Sequence, residues 1–146
     1  MAPPFLATIG YEGDTLSGVI ERLQRAQVAV VVDVRAIAAS RRPGFSKTML
    51  AASLAEADID YVHLRALGTP KAGREAARAG RTEAMRLIFS QHLQEPAAIA
   101  GLGEACQIAA ERPAALLCFE AEACRCHRAI VASRIGATLQ CQVIDL

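Results

Sequence analysis

Apolar and polar positions alternate along this chain in blocks that change period, and the blocks predict strands and helices in turn. Phe5 to Tyr11 is a short apolar run ending in Gly10-Tyr11, and it predicts a first strand. Asp14 is placed to cap a helix on which Leu16, Val19, Ile20 and Leu23 share one face. Val28 to Val34 is β-branched and almost continuous, as expected of a strand buried on both faces. Ser46 is placed to cap a second helix running to about Asp58, with Met49, Leu50 and Leu54 inward, and Ile59 to Leu64 predicts a third strand. Residues Arg65 to Gly80, with their Gly, Pro and basic side chains, read as a loop. Thr82 to Leu93 and Pro96 to Glu111 carry helical spacing, the second with proline in its first turn. Ala114 to Phe119 predicts a fourth strand, His127 to Ile135 a helix closed by Gly136, and Thr138 to Ile144 a fifth strand.

Strands alternating with helices argue for a mostly parallel five-stranded sheet with helices on both faces: one three-layer, Rossmann-like α/β domain spanning residues 1–146. Crossovers are expected to be right-handed, and the expected strand order is 3-2-1-4-5. In such a sheet, ligands bind beyond the carboxyl ends of the strands. The polar outliers sit at that edge: Tyr11 and Glu12, Asp33 and Arg35, His63 and Arg65, Cys118 and Glu120.

Composition narrows the class further. At 146 residues, 53% apolar and 21% charged, the chain can bury a core. A net charge of +1 gives no global pull toward nucleic acid, so any such pull is local. No apolar run approaches the roughly 18 residues of a membrane helix, so no membrane partner is expected. Met1-Ala2-Pro3-Pro4-Phe5 has neither a basic nor an apolar leader region, so no signal peptide is expected. Five cysteines, with Cys124 and Cys126 one residue apart, do not form a secreted framework and predict a cytoplasmic protein with reduced thiols.

The candidate chemistry has two readings at each position. Asp33 and Arg35, two apart on a strand, point to one side and form either a structural ion pair or an anion clamp. The stretch Ser40-Arg41-Arg42-Pro43-Gly44-Phe45-Ser46-Lys47 packs three cations into seven residues beside a helix N-terminus at Ser46, and is either a solvated basic loop or part of an anion site. Tyr61 and His63 share a face, and the histidine is either structural or a proton carrier. Cys118 is either a small buried hydrophobe or an activated thiolate, with Glu120, His63 or His127 moving protons and Arg35, Arg41 and Arg128 holding an anion. The strand-Cys-loop-helix order resembles the anion cradles of cysteine phosphatases and rhodaneses. A Cys-x5-Arg signature, however, would need arginine where Cys124 stands. Cys118, Cys124, Cys126 and His127 also have the types of a zinc set, in an uncommon spacing. Cys106 and Cys141 lie in apolar surroundings and read as packing residues.

Read in order, these pieces resemble the DUF488 family. The matching segments are Thr8-Ile9-Gly10-Tyr11-Glu12-Gly13, Val32-Asp33-Val34-Arg35, the Ser40 to Lys47 stretch, and Tyr61 with His63. Leu67-Gly68-Thr69-Pro70-Lys71, Leu117-Cys118-Phe119-Glu120 and Cys126-His127-Arg128 complete the set. The resemblance implies an α/β domain whose motif residues gather in one cleft, and it supplies no reaction. The chain departs from the family pattern at Ala38, at Glu122-Ala123 and at Asp145, where relatives tend to carry Pro, Asp-Pro and His.

The sequence thus predicts an anion site at the sheet's carboxyl edge. It would be built from Tyr11, Asp33, Arg35, Arg41, Arg42, Lys47, Tyr61, Cys126 and Arg128, with Cys118, Glu120, His63 and His127 as catalytic candidates. The expected ligand is small and anionic, phosphorylated or nucleotide-like. A nucleic-acid binding module using the Arg41 to Lys47 and Lys71 to Arg81 segments, or a structural zinc domain, are the alternatives; no other cofactor is expected and the oligomeric state stays open.

Overall fold

The structure, a computed structural model, describes residues 5–122 and 126–146. Its strands are β1 (Phe5–Gly10), β2 (Val30–Asp33), β3 (Asp60–His63), β4 (Ala114–Cys118) and β5 (Gln142–Asp145). Its helices are α1 (Leu16–Arg25), α2 (Lys47–Glu56), α3 (Lys71–Arg78), α4 (Thr82–His92), α5 (Pro96–Glu111) and α6 (Arg128–Leu139), with a 3-10 turn at Arg65–Leu67. All strand pairs are parallel. The α/β class with a five-stranded parallel sheet follows the sequence pattern.

The strand order is β3-β2-β4-β1-β5, which corrects the expected 3-2-1-4-5. β4 lies between β1 and β2, with Leu116 opposite Thr8 on one side and Val32 on the other. Apart from Thr8 and Asp33, β1, β2 and β4 are apolar, and all three are almost wholly buried, so hydrophobicity could not rank them by depth.

Period-two alternation divides the core between two faces. Ala7, Ile9, Val31, Ala115 and Leu117 pack with Val19 and Leu23 of α1 and Leu50 and Leu54 of α2. Leu6, Val30, Val32, Ala114, Leu116 and Cys118 pack with the α3–α6 layer through Met85, Phe89, Ala105, Val131 and Ile135. Connections leave β2 toward β3 and leave β4 toward β5, in opposite directions from neighbouring strands. That divergence opens a crevice at the carboxyl ends of β2 and β4.

Five local expectations are also corrected. Met49 on α2 is exposed rather than inward, and Thr138 belongs to α6 rather than to the fifth strand. The segment read as a loop from Arg65 to Gly80 holds the 3-10 turn and α3. Only Gly73 and Ala76 of α3 are buried, so it lacks a large apolar stripe to betray it. α6 runs through Gly136 and ends at Gln140, whose φ of 52° is left-handed. A Cβ at Gly136 would stand 3.0 Å from Val143, so that glycine serves close packing rather than termination. Thr15, not Asp14, caps α1 by accepting from the Gly18 amide at 3.0 Å. Ser46 does occupy the cap position of α2, but its hydroxyl bonds Ser40 across the preceding loop instead.

No helix among the described residues is long and apolar enough to cross a membrane.

Candidate functional site

The crevice holds a pocket of about 560 Å3 whose wall includes Tyr11, Arg35, Thr69, Arg74, Arg78, Met85, Cys118, Glu120, Cys126 and His127. Five layers of construction bring these groups together.

The first is the exit of β2. Asp33 is fully buried, and its carboxylate accepts from the Arg35 backbone amide (3.0 Å), Nε (2.9 and 3.0 Å) and Nη2 (2.6 Å). Tyr61 donates its hydroxyl to the same carboxylate at 2.5 Å. Arg35 Nη1 donates to Tyr11 Oη (3.1 Å) and to the Phe45 carbonyl (2.8 Å), and Phe45 stacks on Tyr11 with ring centres 4.3 Å apart. Burial works against the Arg35 charge, but the Asp33 carboxylate outweighs it and pushes the guanidinium pKa up. Burial and the Asp33 charge push the Tyr61 pKa up as well, so its hydroxyl remains a donor. Arg35 therefore lines the pocket with its charge compensated, tying the Phe45 loop to the sheet.

The second layer is a pair of imidazoles under the strand exit. His127 Nε2 and His63 Nε2 each lie 2.7 Å from a carbonyl, of Val34 and Arg35 respectively. A carbonyl only accepts, so each Nε2 carries the proton. Burial, and the neighbouring Arg128 charge, lower the His127 pKa to about 4 against the opposing effect of the Val34 bond. His127 is therefore neutral at pH 7, and its Nδ1 lone pair faces Cys126 Sγ at 3.5 Å. His63 stands behind the Arg35 carbonyl, outside the pocket lining.

The third layer carries the sulfur. Cys118 ends β4, and Cys126 precedes α6. Their sulfurs are in contact across a Cα–Cα separation of 7.5 Å, wider than a relaxed disulfide spans. Cys106 and Cys141 are free and packed at the edge of the core, where burial pushes the Cys106 thiol pKa up. Arg128 is fully buried, and its Nη1 donates to Cys118 Sγ at 2.8 Å. The guanidinium is aimed by the carbonyls of Glu120 and Ala121. The Arg128 backbone amide also donates to Cys126 Sγ at 3.5 Å. Glu120 Oε2 lies 3.4 Å from Cys118 Sγ.

The loop after β4 is held from below. Glu12 donates its amide to the Phe119 carbonyl at 2.8 Å and accepts from the Ala121 amide at 3.1 Å. Gly10 lets the Glu120 carbonyl pass where a Cβ would be, and Gly68 does the same for Ala36.

The rim of the pocket comes from α3. Arg74 and Arg78, one turn apart, both face the cavity, and Arg74 is steadied by the Thr69 carbonyl at 2.9 Å. The sequence reading missed these two because it took α3 for a loop. Their four-residue spacing was the available signal.

The structure thus gathers Tyr11, Arg35, Cys118, Glu120, Cys126 and His127 around one cavity, with Asp33, Tyr61 and Arg128 bracing them. Arg41 and Lys47 are exposed and Arg42 donates to the Asp14 carbonyl; none of the three lines this pocket. Cys124 lies outside the described residues. Among the described residues, Cys118, Glu120 and Cys126 place their ligand atoms within 4.8 Å of one another. That set fits a thiophilic divalent ion only when both sulfurs are reduced.

No curated protein and no solved structure matches the chain. The sequence pattern of one family does match, over residues 15–135, a span that includes the β2 exit, α3 and the Cys118 to Arg128 loop. The chain therefore belongs to the DUF488 family, a domain of unknown function.

Proposed function

We propose that this domain is a cysteine-dependent enzyme that binds a small anionic substrate, phosphorylated or nucleotide-like, at the carboxyl edge of its sheet. One observation carries the reading: the Arg128 guanidinium donates to Cys118 Sγ at 2.8 Å in the wall of an open pocket. A cation in that position favours thiolate over thiol, and the thiolate is the nucleophile.

In the reduced protein Glu120 accepts the Cys118 proton across 3.4 Å and returns it to the leaving group. Arg35 is committed to Asp33, so the substrate's anionic group goes to Arg74 and Arg78 on the rim.

Alkylation by iodoacetamide after reduction tests this. Cys118 should label at pH 7 about tenfold faster than Cys106. Arg128→Gln should remove most of that advantage. Inorganic phosphate or AMP should slow labelling, and Arg74→Gln with Arg78→Gln should abolish the protection. Slow, unprotected labelling of Cys118 from pH 5 to 9 would overturn the reading.

A second reading rests on the Cys118–Glu120–Cys126 cluster, which in reduced form offers two thiolates and a carboxylate with one side open to the pocket. A zinc-dependent rise in melting temperature of the reduced chain, lost in Glu120→Ala, would support it. An unchanged melting temperature would dismiss it.

A further inference from the structure

Among the described residues, the polar groups hydrogen-bonded to the two sulfurs are ones that thiol–disulfide exchange uses. A disulfide serving only as a staple needs neither an open pocket nor proton carriers at its ends. Here both sulfurs line the cavity wall. Each has a donor that stabilises it as a thiolate: Arg128 Nη1 for Cys118, and the Arg128 backbone amide at the start of α6 for Cys126. Each also has its own proton acceptor, Glu120 Oε2 for Cys118 and His127 Nδ1 for Cys126.

We propose that this pocket exchanges electrons with an anionic low-molecular-weight disulfide, with Cys118 as the entry sulfur and Cys126 as the resolving one. The proposal rests on the anion-pocket reading above and names the reacting atom of the substrate as sulfur.

The chemistry closes without a further co-reactant. Glu120 takes the Cys118 proton, and the thiolate attacks one sulfur of the substrate RSSR. The Cys118–SR bond forms, the substrate S–S bond breaks, and the departing RS− takes the proton from Glu120. His127 Nδ1 then takes the Cys126 proton. The Cys126 thiolate attacks Cys118 Sγ, so the protein disulfide forms and the mixed disulfide breaks. The second RS− leaves with the proton from His127. Two electrons pass from the protein dithiol to the substrate, giving two RSH; excess RSH runs the sequence backwards.

The anionic preference comes from Arg74 and Arg78, one turn apart on α3, which line the same cavity as the two sulfurs. Phe119 and Ile37, both exposed beside the opening, offer apolar contact to the arms of the substrate.

The test uses the full chain, reduced and desalted, with oxidised glutathione as an anionic probe and cystamine as a cationic one. Mass spectrometry should show wild-type protein losing two hydrogens, with the crosslink mapping to Cys118–Cys126. Cys126→Ser, and Cys126→Ala should the first fold poorly, should accumulate a glutathionyl adduct on Cys118. At low salt oxidised glutathione should react about tenfold faster than cystamine, and Arg74→Gln with Arg78→Gln should erase the difference.

Equal rates for the two probes would overturn the anionic substrate class. An adduct forming faster on Cys126 in Cys118→Ser would overturn the order of the sulfurs. Rapid, phosphate-protected alkylation of Cys118 with no crosslink and no adduct would overturn the exchange chemistry while leaving the nucleophile standing. Slow alkylation would overturn the nucleophile itself.

Discussion

His127 is set by what surrounds it rather than by its own basicity. Its Nε2–H is spent on the Val34 carbonyl at 2.7 Å, and burial holds its pKa at about 4, below the ordinary 6.5. The sign of the consequence is fixed. Between those two values the unfolded chain binds a proton at this position and the folded chain does not, so acidification favours unfolding. His127 stability is present above about pH 6.5 and is lost as pH falls toward 4, on the order of 3 kcal/mol in all. Urea melts at pH 7.0 and 5.0 should show this loss in wild type, and His127→Gln should show a visibly smaller difference between the two pH values. Asp33 makes the opposite case, a charge that belongs in the core because it is fully partnered. Asp33→Asn would leave the buried Arg35 cation without its counter-charge and weaken the Tyr61 bond, at a cost of roughly 3–5 kcal/mol. Chemical denaturation of the variant measures that directly, and a loss under 1 kcal/mol would show that the Phe45 loop rather than the ion pair holds Arg35.

Elements differ in how plainly the chain announces them, and the difference is one of side-chain size at buried positions. β2 and β4 present Val30–Val32 and Leu116–Leu117 in unbroken runs, so they were legible, as was the cluster of polar residues at their ends. α3 buries only Gly73 and Ala76 against its neighbours, so its helical period left no apolar stripe, and Arg74 and Arg78 were lost with it. Glycines misled in a related way: Gly136 looked like a helix end and is instead a contact with Val143. Gly10 is the glycine on which the site depends most. It ends β1 opposite Cys118, and a Cβ there would collide with the Glu120 carbonyl that aims Arg128. Gly10→Ala should cost about 1–3 kcal/mol by overpacking. It should also slow Cys118 alkylation, because the loop that carries Glu120 must shift. Labelling and melting measured on the same preparation separate the two effects; a destabilised variant with wild-type labelling would show that the aim of Arg128 does not depend on this close approach.

At the scale of the molecule, the sheet order explains why one crevice can hold residues drawn from both cores. Asp33 and Arg35 follow Val31 on the face covered by α1 and α2, whereas Cys118 follows Leu116 on the face covered by α3–α6. Only at the carboxyl edge, where β2 and β4 are neighbours, do the two sets meet. With β1 between them, as the sequence pattern suggested, they would stand a strand further apart. That neighbour relation was illegible because β1, β2 and β4 are equally apolar, and the order was set by where the long α3–α5 connection returns the chain. β4 is then the centre of the fold, hydrogen-bonded on both sides, whereas β5 is an edge strand with Val143 and Ile144 each 38% exposed. Backbone groups open at a cost that follows their burial, so β4 amides should exchange hydrogen only on global unfolding and β5 amides much sooner. Leu116→Ala, which empties a fully buried position at the middle of the sheet, should cost about 2–5 kcal/mol and speed exchange in β1, β2 and β4 together. If β1 and β2 slowed or held while β4 alone became labile, β4 would be an insert between two independently stable halves, and the crevice would owe its position to those halves rather than to the central strand.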